Sequence, residues 1–163
     1  MSSVAITDVG SLVTNDSNIG DGALGIRTNT AIVVVDGNVA WIGDSDKVAD
    51  ADERVSVSGK TVIPGFVDSH AHLVFAGDRS EEFSARMNGQ SYSAGGIKTT
   101  VTATRAASDE ELRAKTSRLV SELHRSGVTT FESKSGYALD VANEARSLRI
   151  AREFTNETTS SSL

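Results

Sequence analysis

Short apolar runs separated by polar turns dominate the first 63 residues of the chain. The strongest pair covers residues 31–35 and 39–42, with Asp36 and Gly37 between them. An Asp-Gly step between two apolar runs is the strongest short-range signal for a β-hairpin, because such a turn needs positive φ angles that Gly tolerates. The pattern therefore predicts an all-β domain over residues 1–63.

In the second part of the chain the spacing of apolar residues changes, and strands begin to alternate with helices. A buried strand is predicted from residue 64 to about residue 75, followed by a short helix over residues 80–87 with Ser80 as its N-cap. Residues 88–96 are rich in small and polar residues and are predicted to form a loop. A second strand is predicted over residues 128–132. Strands that alternate with helices in this order are typical of a parallel α/β sheet.

Two amphipathic helices accompany the second strand, one before it and one after it. The first is predicted to begin at a capping box, in which the side chains of Ser108 and Glu111 each bond to the backbone N–H of the other. Its apolar face follows helical spacing and comprises Leu112, Thr116, Leu119, Val120 and Leu123. The second is predicted to begin after Asp140 as N-cap, with an apolar face made of Val141, Ala145, Leu148 and Ala151.

Two of the three histidines lie near the end of the first predicted α/β strand. His70 and His72 are two positions apart, so their side chains share one face of a strand at a spacing of about 6.6 Å. Both imidazoles can then reach one metal ion, and imidazole suits both zinc and iron. A pair of ordinary structural histidines is the alternative. We favour metal ligation, because reactive groups gather at the carboxyl ends of parallel strands.

Arg79 follows the histidines on the next predicted loop. Its planar guanidinium can bind a carboxylate through two parallel hydrogen bonds. Pairing with Glu81 or Glu82 on the surface is the ordinary alternative for this arginine.

The only two tyrosines, Tyr92 and Tyr137, lie in predicted loops that contain glycine. A loop tyrosine offers a rigid ring and a hydroxyl to a ligand, although plain packing is an equal alternative for Tyr92. Glu132 and Lys134 are expected to pair with each other or with solvent. The third histidine, His124, lies near the end of the long helix and is interpreted as structural.

Composition narrows the classes of function. The 163 residues carry 22 acidic and 16 basic side chains, a formal net charge of -6, and no basic block that could bind nucleic acid. The absence of cysteine excludes disulfides and thiolate ligands and is consistent with a reducing cytoplasm. No apolar run approaches the roughly 20 residues that span a bilayer. We therefore expect a cytoplasmic protein that binds neither nucleic acid nor membrane.

Several motifs in the second part of the chain resemble one known family. Residues 64–68 followed by His70-Ala71-His72 resemble the first-strand signature of the amidohydrolase superfamily of metal-dependent hydrolases. Within that superfamily the resemblance narrows to the imidazolonepropionases through three further stretches, at residues 73–79, 95–105 and 134–137. It extends from about residue 4 to about residue 155.

The resemblance implies a fold and a set of site residues. The fold is a (β/α)8 TIM barrel preceded by a small β-sandwich-like domain. Residues 64–154 would supply the first βαβα units of the barrel, and residues 1–63 would form part of a composite β domain. By the same resemblance, one divalent or trivalent metal ion, zinc or iron, is bound, and the implied site residues are His70 and His72 as metal ligands and Arg79, Tyr137 and Tyr92 as substrate-binding residues.

The resemblance also implies an activity. Imidazolonepropionases open the ring of 4-imidazolone-5-propanoate to give N-formimidoyl-L-glutamate in histidine degradation, and the full-length family is homodimeric. The later barrel strands of the family have no counterpart here, so the remaining ligands and the general acid/base are expected in a missing segment. Residues 155–163 are expected to be a disordered tail of a truncated chain.

Two alternatives remain open at this point. The chain could belong to another amidohydrolase, such as a cyclic amidase or a nucleobase deaminase. It could also be a non-catalytic fragment, because two parallel strands do not close a barrel and leave an unpaired strand edge.

Overall fold

The computed structural model describes residues 2–89 and 95–154. The chain divides into two compact units, Met1–Pro64 and Gly65–Leu163. Tyr92 and the predicted tail at residues 155–163 lie outside the described residues. Within the described ranges, no helix is long and apolar enough to cross a membrane.

The first unit contains one five-stranded sheet. Its strands are β1 (Ser3–Val13), β2 (Ile26–Val35), β3 (Asn38–Asp44), β4 (Glu53–Ser56) and β5 (Thr61–Val62). The order is β3-β2-β1-β4, with β5 also paired to β1. The predicted hairpin is confirmed: β2 and β3 are antiparallel, and Asp36 and Gly37 have φ angles of 47° and 81°.

The hydrophobic core of this unit is formed mainly by residues of β1 and β2. Val9, Leu12 and Ile32 are buried together, and the partly buried residues packed against them are Ile6, Val34, Ile42, Val57 and Val62. A bulge in β1 between Ile6 and Val9 sets the register that brings these residues together.

Within residues 65–89 and 95–154, the second unit contains two parallel strands and four helices. They are β6 (Phe66–Ala71), α1 (Ser80–Met87), α2 (Gly95–Ala106), α3 (Asp109–Arg125), β7 (Val128–Ser133) and α4 (Val141–Arg152). β6 and β7 pair in parallel, with Asp68 opposite Phe131 and Ala71 opposite Ser133. The parallel arrangement is therefore confirmed, and in the described part of the chain these strands form an open sheet rather than a closed barrel.

Two predicted boundaries were wrong. The strand that carries the histidines ends at Ala71 rather than near residue 75. Ser80 is the first residue of α1 rather than its N-cap, which is Arg79. The Asp78 carboxylate accepts the backbone N–H of Ser80 at 2.9 Å, so an aspartate two positions earlier provides the side-chain acceptor expected of the cap.

The helix α2 is absent from the sequence prediction, which has a loop up to residue 96. Gly and Thr are weak helix formers, so the sequence alone gives little helical signal here. In the structure Thr100 and Thr104 are buried, and the Thr104 hydroxyl donates to the carbonyl of Thr100 at 2.7 Å. The same oxygen accepts the backbone N–H of Ala76 at 3.0 Å, which ties the helix to the segment after β6.

The long helix α3 begins and packs as predicted. Ser108 and Glu111 form the capping box, with backbone-to-side-chain distances of 2.7 and 3.2 Å. Leu112, Thr116 and Val120 are its buried residues. Leu112 forms the core of this unit with Val74 and Ile150.

The start of α4 is confirmed, but its predicted buried face is correct only at Ala151, which packs against the core. The Asp140 carboxylate accepts the backbone N–H of Asn143 at 2.9 Å, as an N-cap should. However, Val141 is 88% exposed, and the buried residues are Ser147 and Ile150. Ser147 is polar, and its burial is tolerated because its hydroxyl donates to the carbonyl of Asn143 within the helix.

Candidate functional site

The two histidines meet at the carboxyl end of β6. His70 is in the strand and His72 follows it directly, and their ring centroids are 5.2 Å apart in an edge-on arrangement. Asp68, two residues before His70, accepts the backbone N–H of His70 at 3.1 Å. Asp68 therefore stabilises the backbone at the end of the strand, and the rings of His70 and His72 contact each other.

His72 has a buried nitrogen that could serve a ligand. In the described part of the chain its Nδ1 atom has no hydrogen-bond partner, and a buried polar atom without a partner is costly. The two neighbouring imidazoles thus fit as two ligands of a zinc or iron ion. Within residues 2–89 and 95–154, however, no group of three His, Cys, Asp or Glu side chains could hold a metal, and a catalytic zinc usually has three protein ligands.

Tyr137 and Gly136 bring a second element to the histidines. The Tyr137 ring centroid is 5.2 Å from that of His72 and 5.6 Å from that of Phe75. Gly136 has a φ angle of 144°, and a Cβ atom at this position would lie 3.1 Å from Cε1 of His72. The loop after β7 therefore packs closely on the histidine that follows β6, as the parallel pairing of the two strands requires.

Arg79 binds a carboxylate in the structure, and that carboxylate is Glu82. The guanidinium donates from Nε to Oε2 and from Nη2 to Oε1, both at 2.9 Å. These hydrogen bonds from Arg79 hold the pKa of Glu82 below its usual value. The surface ion pair named as the alternative for Arg79 is thus formed, while Arg79 also lines an open cleft of about 380 Å³ together with Phe75 and Tyr137.

Lys115 is a cleft residue that the sequence analysis did not identify. Its Nζ atom lies 3.7 Å from the centroid of the Phe75 ring and donates to the carbonyl of Gly77 at 2.6 Å. Burial, and then the charge of Arg118, lower the pKa of Lys115. The helical pattern gives no signal for this role, because Lys115 lies beside the buried Thr116 at a position that reads as an ordinary solvated lysine.

Two further residues pair as expected, and His124 is on the surface. Lys134 and Glu132 form an ion pair at 2.7 Å, which confirms the predicted pairing. His124 is exposed in the last turn of α3. Lys134 also lies next to the histidines along the sheet, because its backbone N–H donates to the carbonyl of Ala71 at 2.8 Å.

Solved structures show which class of fold the chain has. It matches a triazine hydrolase from Arthrobacter aurescens with a TM-score of 0.61 and 16% identity, covering 94% of this chain and 34% of that one. It matches the Aspergillus niger ochratoxinase with a TM-score of 0.55 and 21% identity, covering 83% and 26%. A structure described as an amidohydrolase matches with a TM-score of 0.52 and 17% identity, covering 83% and 26%. The described chain therefore has the mixed α/β fold of one part of the amidohydrolase structures.

Imidazolonepropionases are among the sequence relatives of the chain, although no protein-family model matches it. It is 58% identical over 159 residues to the imidazolonepropionase of Salinispora arenicola and 56% identical over 159 residues to that of Mycolicibacterium smegmatis. In both cases the match covers 98% of this chain and 40% of the relative. The chain is a homologue of the imidazolonepropionases, and it spans about two fifths of their length.

Proposed function

We propose that this chain is the part of an imidazolonepropionase that carries the first two metal ligands and part of the substrate site. The reaction is hydrolysis of the cyclic amide C–N bond of 4-imidazolone-5-propanoate, which gives N-formimidoyl-L-glutamate. The observation that carries the proposal is 58% identity over nearly the whole chain to an enzyme of that name. The arrangement of His70, His72 and Tyr137 at the ends of two parallel strands supports it.

The proposal extends to the architecture of the whole protein. We take β6, α3, β7 and α4 as the first βαβα units of a (β/α)8 barrel, and residues 1–63 as part of a composite β domain. Parallel pairing of β6 with β7 across an intervening helix supports this arrangement. A cytoplasmic homodimer is the expected state of the whole enzyme.

His70 and His72 are proposed to hold one zinc or iron ion. When bound, such an ion lowers the pKa of a water molecule and polarises a carbonyl. Contact with His70 and Tyr137 on two sides holds the His72 ring in its orientation.

Arg79 and Tyr137 are proposed to bind the substrate, with Tyr92 as a further contact. Arg79 already holds the Glu82 carboxylate through two hydrogen bonds, a geometry that suits a propionate equally well. On binding, the propionate of the substrate would replace the Glu82 carboxylate at Arg79. This contact would fix the orientation of the substrate ring relative to the histidines. The general acid/base is expected outside this chain.

A chimeric enzyme tests this function directly. This chain replaces the matching two fifths of the Salinispora arenicola enzyme, and hydrolysis of 4-imidazolone-5-propanoate is followed together with metal content. We expect activity, and we expect His70→Ala to reduce it by more than roughly 100-fold, since even the partners of metal ligands are worth 10- to 100-fold.

The exposed histidine of α3 supplies the control for this experiment. His124→Ala should leave both the activity and the metal content of the chimera unchanged, because His124 is exposed in the last turn of that helix. A folded chimera that ignores this substrate but opens another cyclic amide or deaminates a nucleobase would contradict the proposal in favour of another amidohydrolase.

The chain by itself is expected to be inactive. Among the described residues no third metal-binding side chain joins His70 and His72, and a catalytic site usually needs one. Purified residues 1–163 should therefore show no turnover of 4-imidazolone-5-propanoate with zinc or iron added. Turnover by this chain alone would contradict the proposal that the remaining metal ligands and the general acid/base lie outside it.

A further inference from the structure

The loop between β7 and α4 is bonded to side chains of both α2 and α4. It carries Gly136 and Tyr137, the two residues that pack on His72. Leu139 in the same loop has a φ angle of 57°, a left-handed conformation that a branched side chain rarely adopts. A loop of this shape needs contacts that hold it, because its backbone does not favour the conformation.

Glu144 provides two of these contacts from the first turn of α4. Its Oε1 atom accepts the backbone N–H of Ala138 at 2.9 Å and the backbone N–H of Leu139 at 2.7 Å. Ala138 is fully buried, so its amide has little access to water. Burial alone would raise the pKa of Glu144, but the N–H groups of Leu139 and Ala138 outweigh it, and the pKa is lower than usual.

The opposite side of the same loop is held by α2. The Arg105 guanidinium donates from Nε to the carbonyl of Ala138 at 2.6 Å and forms an ion pair with Asp140 at 3.1 Å. Both the amide and the carbonyl of the buried Ala138 are therefore bonded to charged side chains. Such charge-assisted bonds are stronger than neutral ones.

The bonds made by Glu144 do not serve its own helix. Asp140 is already the N-cap of α4 and accepts the backbone N–H of Asn143. Glu144 instead reaches back past the cap to two amides that precede the helix. Glu144 therefore stabilises the loop rather than its own helix, and through the loop it affects the contacts made to His72.

We propose that Glu144 is a positioning residue, which fixes the loop over residues 135–140 so that Gly136 and Tyr137 pack against His72. The consequence for catalysis rests on the proposed function, in which His72 is a metal ligand and Tyr137 contacts substrate. The structural part is independent of that function, because it concerns only how the loop meets the His72 ring.

The test uses the full 163-residue chain without metal and observes the Hε1 proton of His72 by NMR. The centroid of the Tyr137 ring lies 5.2 Å from that of the His72 ring, so the tyrosine shifts this resonance. Tyr137→Leu gives the value of the resonance without the tyrosine ring. Glu144→Asp keeps the charge but is one methylene too short to reach both amides. We expect it to move the His72 resonance most of the way to the Tyr137→Leu value.

Two further variants make the result specific. Glu144→Gln keeps the length of the side chain and an oxygen for the amides of Ala138 and Leu139, but it places an NH2 group toward the Gly136 N–H. Its His72 resonance should therefore move by less than that of Glu144→Asp. Glu122→Asp is the matched control: Glu122 is an exposed helical glutamate whose ion-pair partner, Arg118, lies at 3.7 Å, and the shortening should leave His72 unchanged. A folded Glu144→Asp chain with the wild-type His72 resonance would overturn the proposal, and so would a Glu122→Asp shift of the same size.

The chimeric enzyme then tests the link to catalysis separately. Glu144→Asp in the chimera should raise KM roughly tenfold with a smaller change in kcat, the size of effect expected for a group that orients a binding residue. An inactive parent chimera refutes the proposed function but leaves the NMR result standing. A His72 shift in the chain with unchanged KM in an active chimera overturns the catalytic part alone.

Discussion

His72 is contacted by residues that reach it in two different ways. His70 is brought by the strand itself, because side chains two apart share a face, and the two rings lie 5.2 Å apart. Gly136 and Tyr137 are 64 and 65 positions further along the chain. They arrive through the parallel pairing of β6 with β7. The His-x-His spacing predicts the first contact, whereas the second depends on how the two strands pair.

Gly136→Ala is expected to disturb His72 in particular. The new Cβ atom would lie 3.1 Å from Cε1 of His72, so the ring has to move, and the φ angle of 144° adds backbone strain. Gly89→Ala is the matched control, since Gly89 has a φ angle of 80° but open space around a Cβ. A left-handed residue with a Cβ costs about 1–2 kcal/mol.

NMR and urea unfolding distinguish these two effects. Both glycine variants should lower the free energy of unfolding, and only Gly136→Ala should also shift the Hε1 resonance of His72. An unchanged His72 resonance in a folded Gly136→Ala chain would contradict the close approach.

The helix α2 shows how packing overrides local propensity at the scale of an element. Its sequence contains four threonines and two glycines, residues that favour other conformations. The Thr104 hydroxyl offsets this weakness by bonding both to the helix and to Ala76. By contrast, α3 carries its own start signal in Ser108 and Glu111, and it was predictable for that reason.

Thr104→Val is expected to loosen α2 from the segment after β6. Valine has the same shape but no acceptor, so the N–H of Ala76 loses the bond made at 3.0 Å. A fully buried donor left unsatisfied costs about 1–3 kcal/mol, and we expect the lower end of this range because the bond is only partly buried. Urea unfolding followed by circular dichroism at 222 nm measures the loss, because the α-helices of the described chain all lie in the second unit. Thr102→Val, on the exposed side of the helix, should cost much less; equal losses would refute this role.

Ser108→Ala is expected to weaken the start of α3. Its hydroxyl accepts the N–H of Glu111 at 3.2 Å, and removal of an N-cap acceptor typically costs about 1 kcal/mol. Hydrogen exchange of the first-turn amides should accelerate in this variant. Ser117→Ala, at an exposed position within the same helix, should leave that exchange unchanged, and no difference between the two variants would count against the cap.

At the scale of the whole molecule, the chain consists of two compact units that differ in secondary structure. The first is an all-β sheet, and the second carries the four α-helices and the candidate site residues. Charged pairs join parts of the second unit that are far apart in sequence. Arg146 donates to Asp109 at 2.5 Å, and Arg113 donates to Glu153 at 2.7 Å, so two ion pairs connect α3 with α4 and its C-terminal end.

Acid is expected to destabilise the second unit. Hydrogen bonds from Arg146 lower the pKa of Asp109, and those from Arg113 lower the pKa of Glu153. A carboxyl group whose pKa is lower in the folded state stabilises that state above its unfolded pKa of about 4, and this contribution is lost as the pH falls through the folded pKa. Helical circular dichroism in mild urea should therefore decrease as the pH falls below about 4. A helix signal that becomes more resistant to urea between pH 6 and pH 3 would refute this assignment.

The sequence by itself determined whatever depends on residues close together in the chain. The Asp36-Gly37 hairpin, the Ser108–Glu111 capping box, the Asp140 cap and the pair of histidines follow from turn geometry, capping or strand periodicity, which act over two to four residues. Only the tertiary structure decided that α2 is helical, that α4 buries Ser147 rather than Val141, and that Glu144 fastens the loop beside His72. The helix α2 depends on the bond between Thr104 and the distant Ala76, and the loop depends also on Arg105 of another helix. The burial of Ser147 is set by what packs around α4, so none of the three follows from a local pattern.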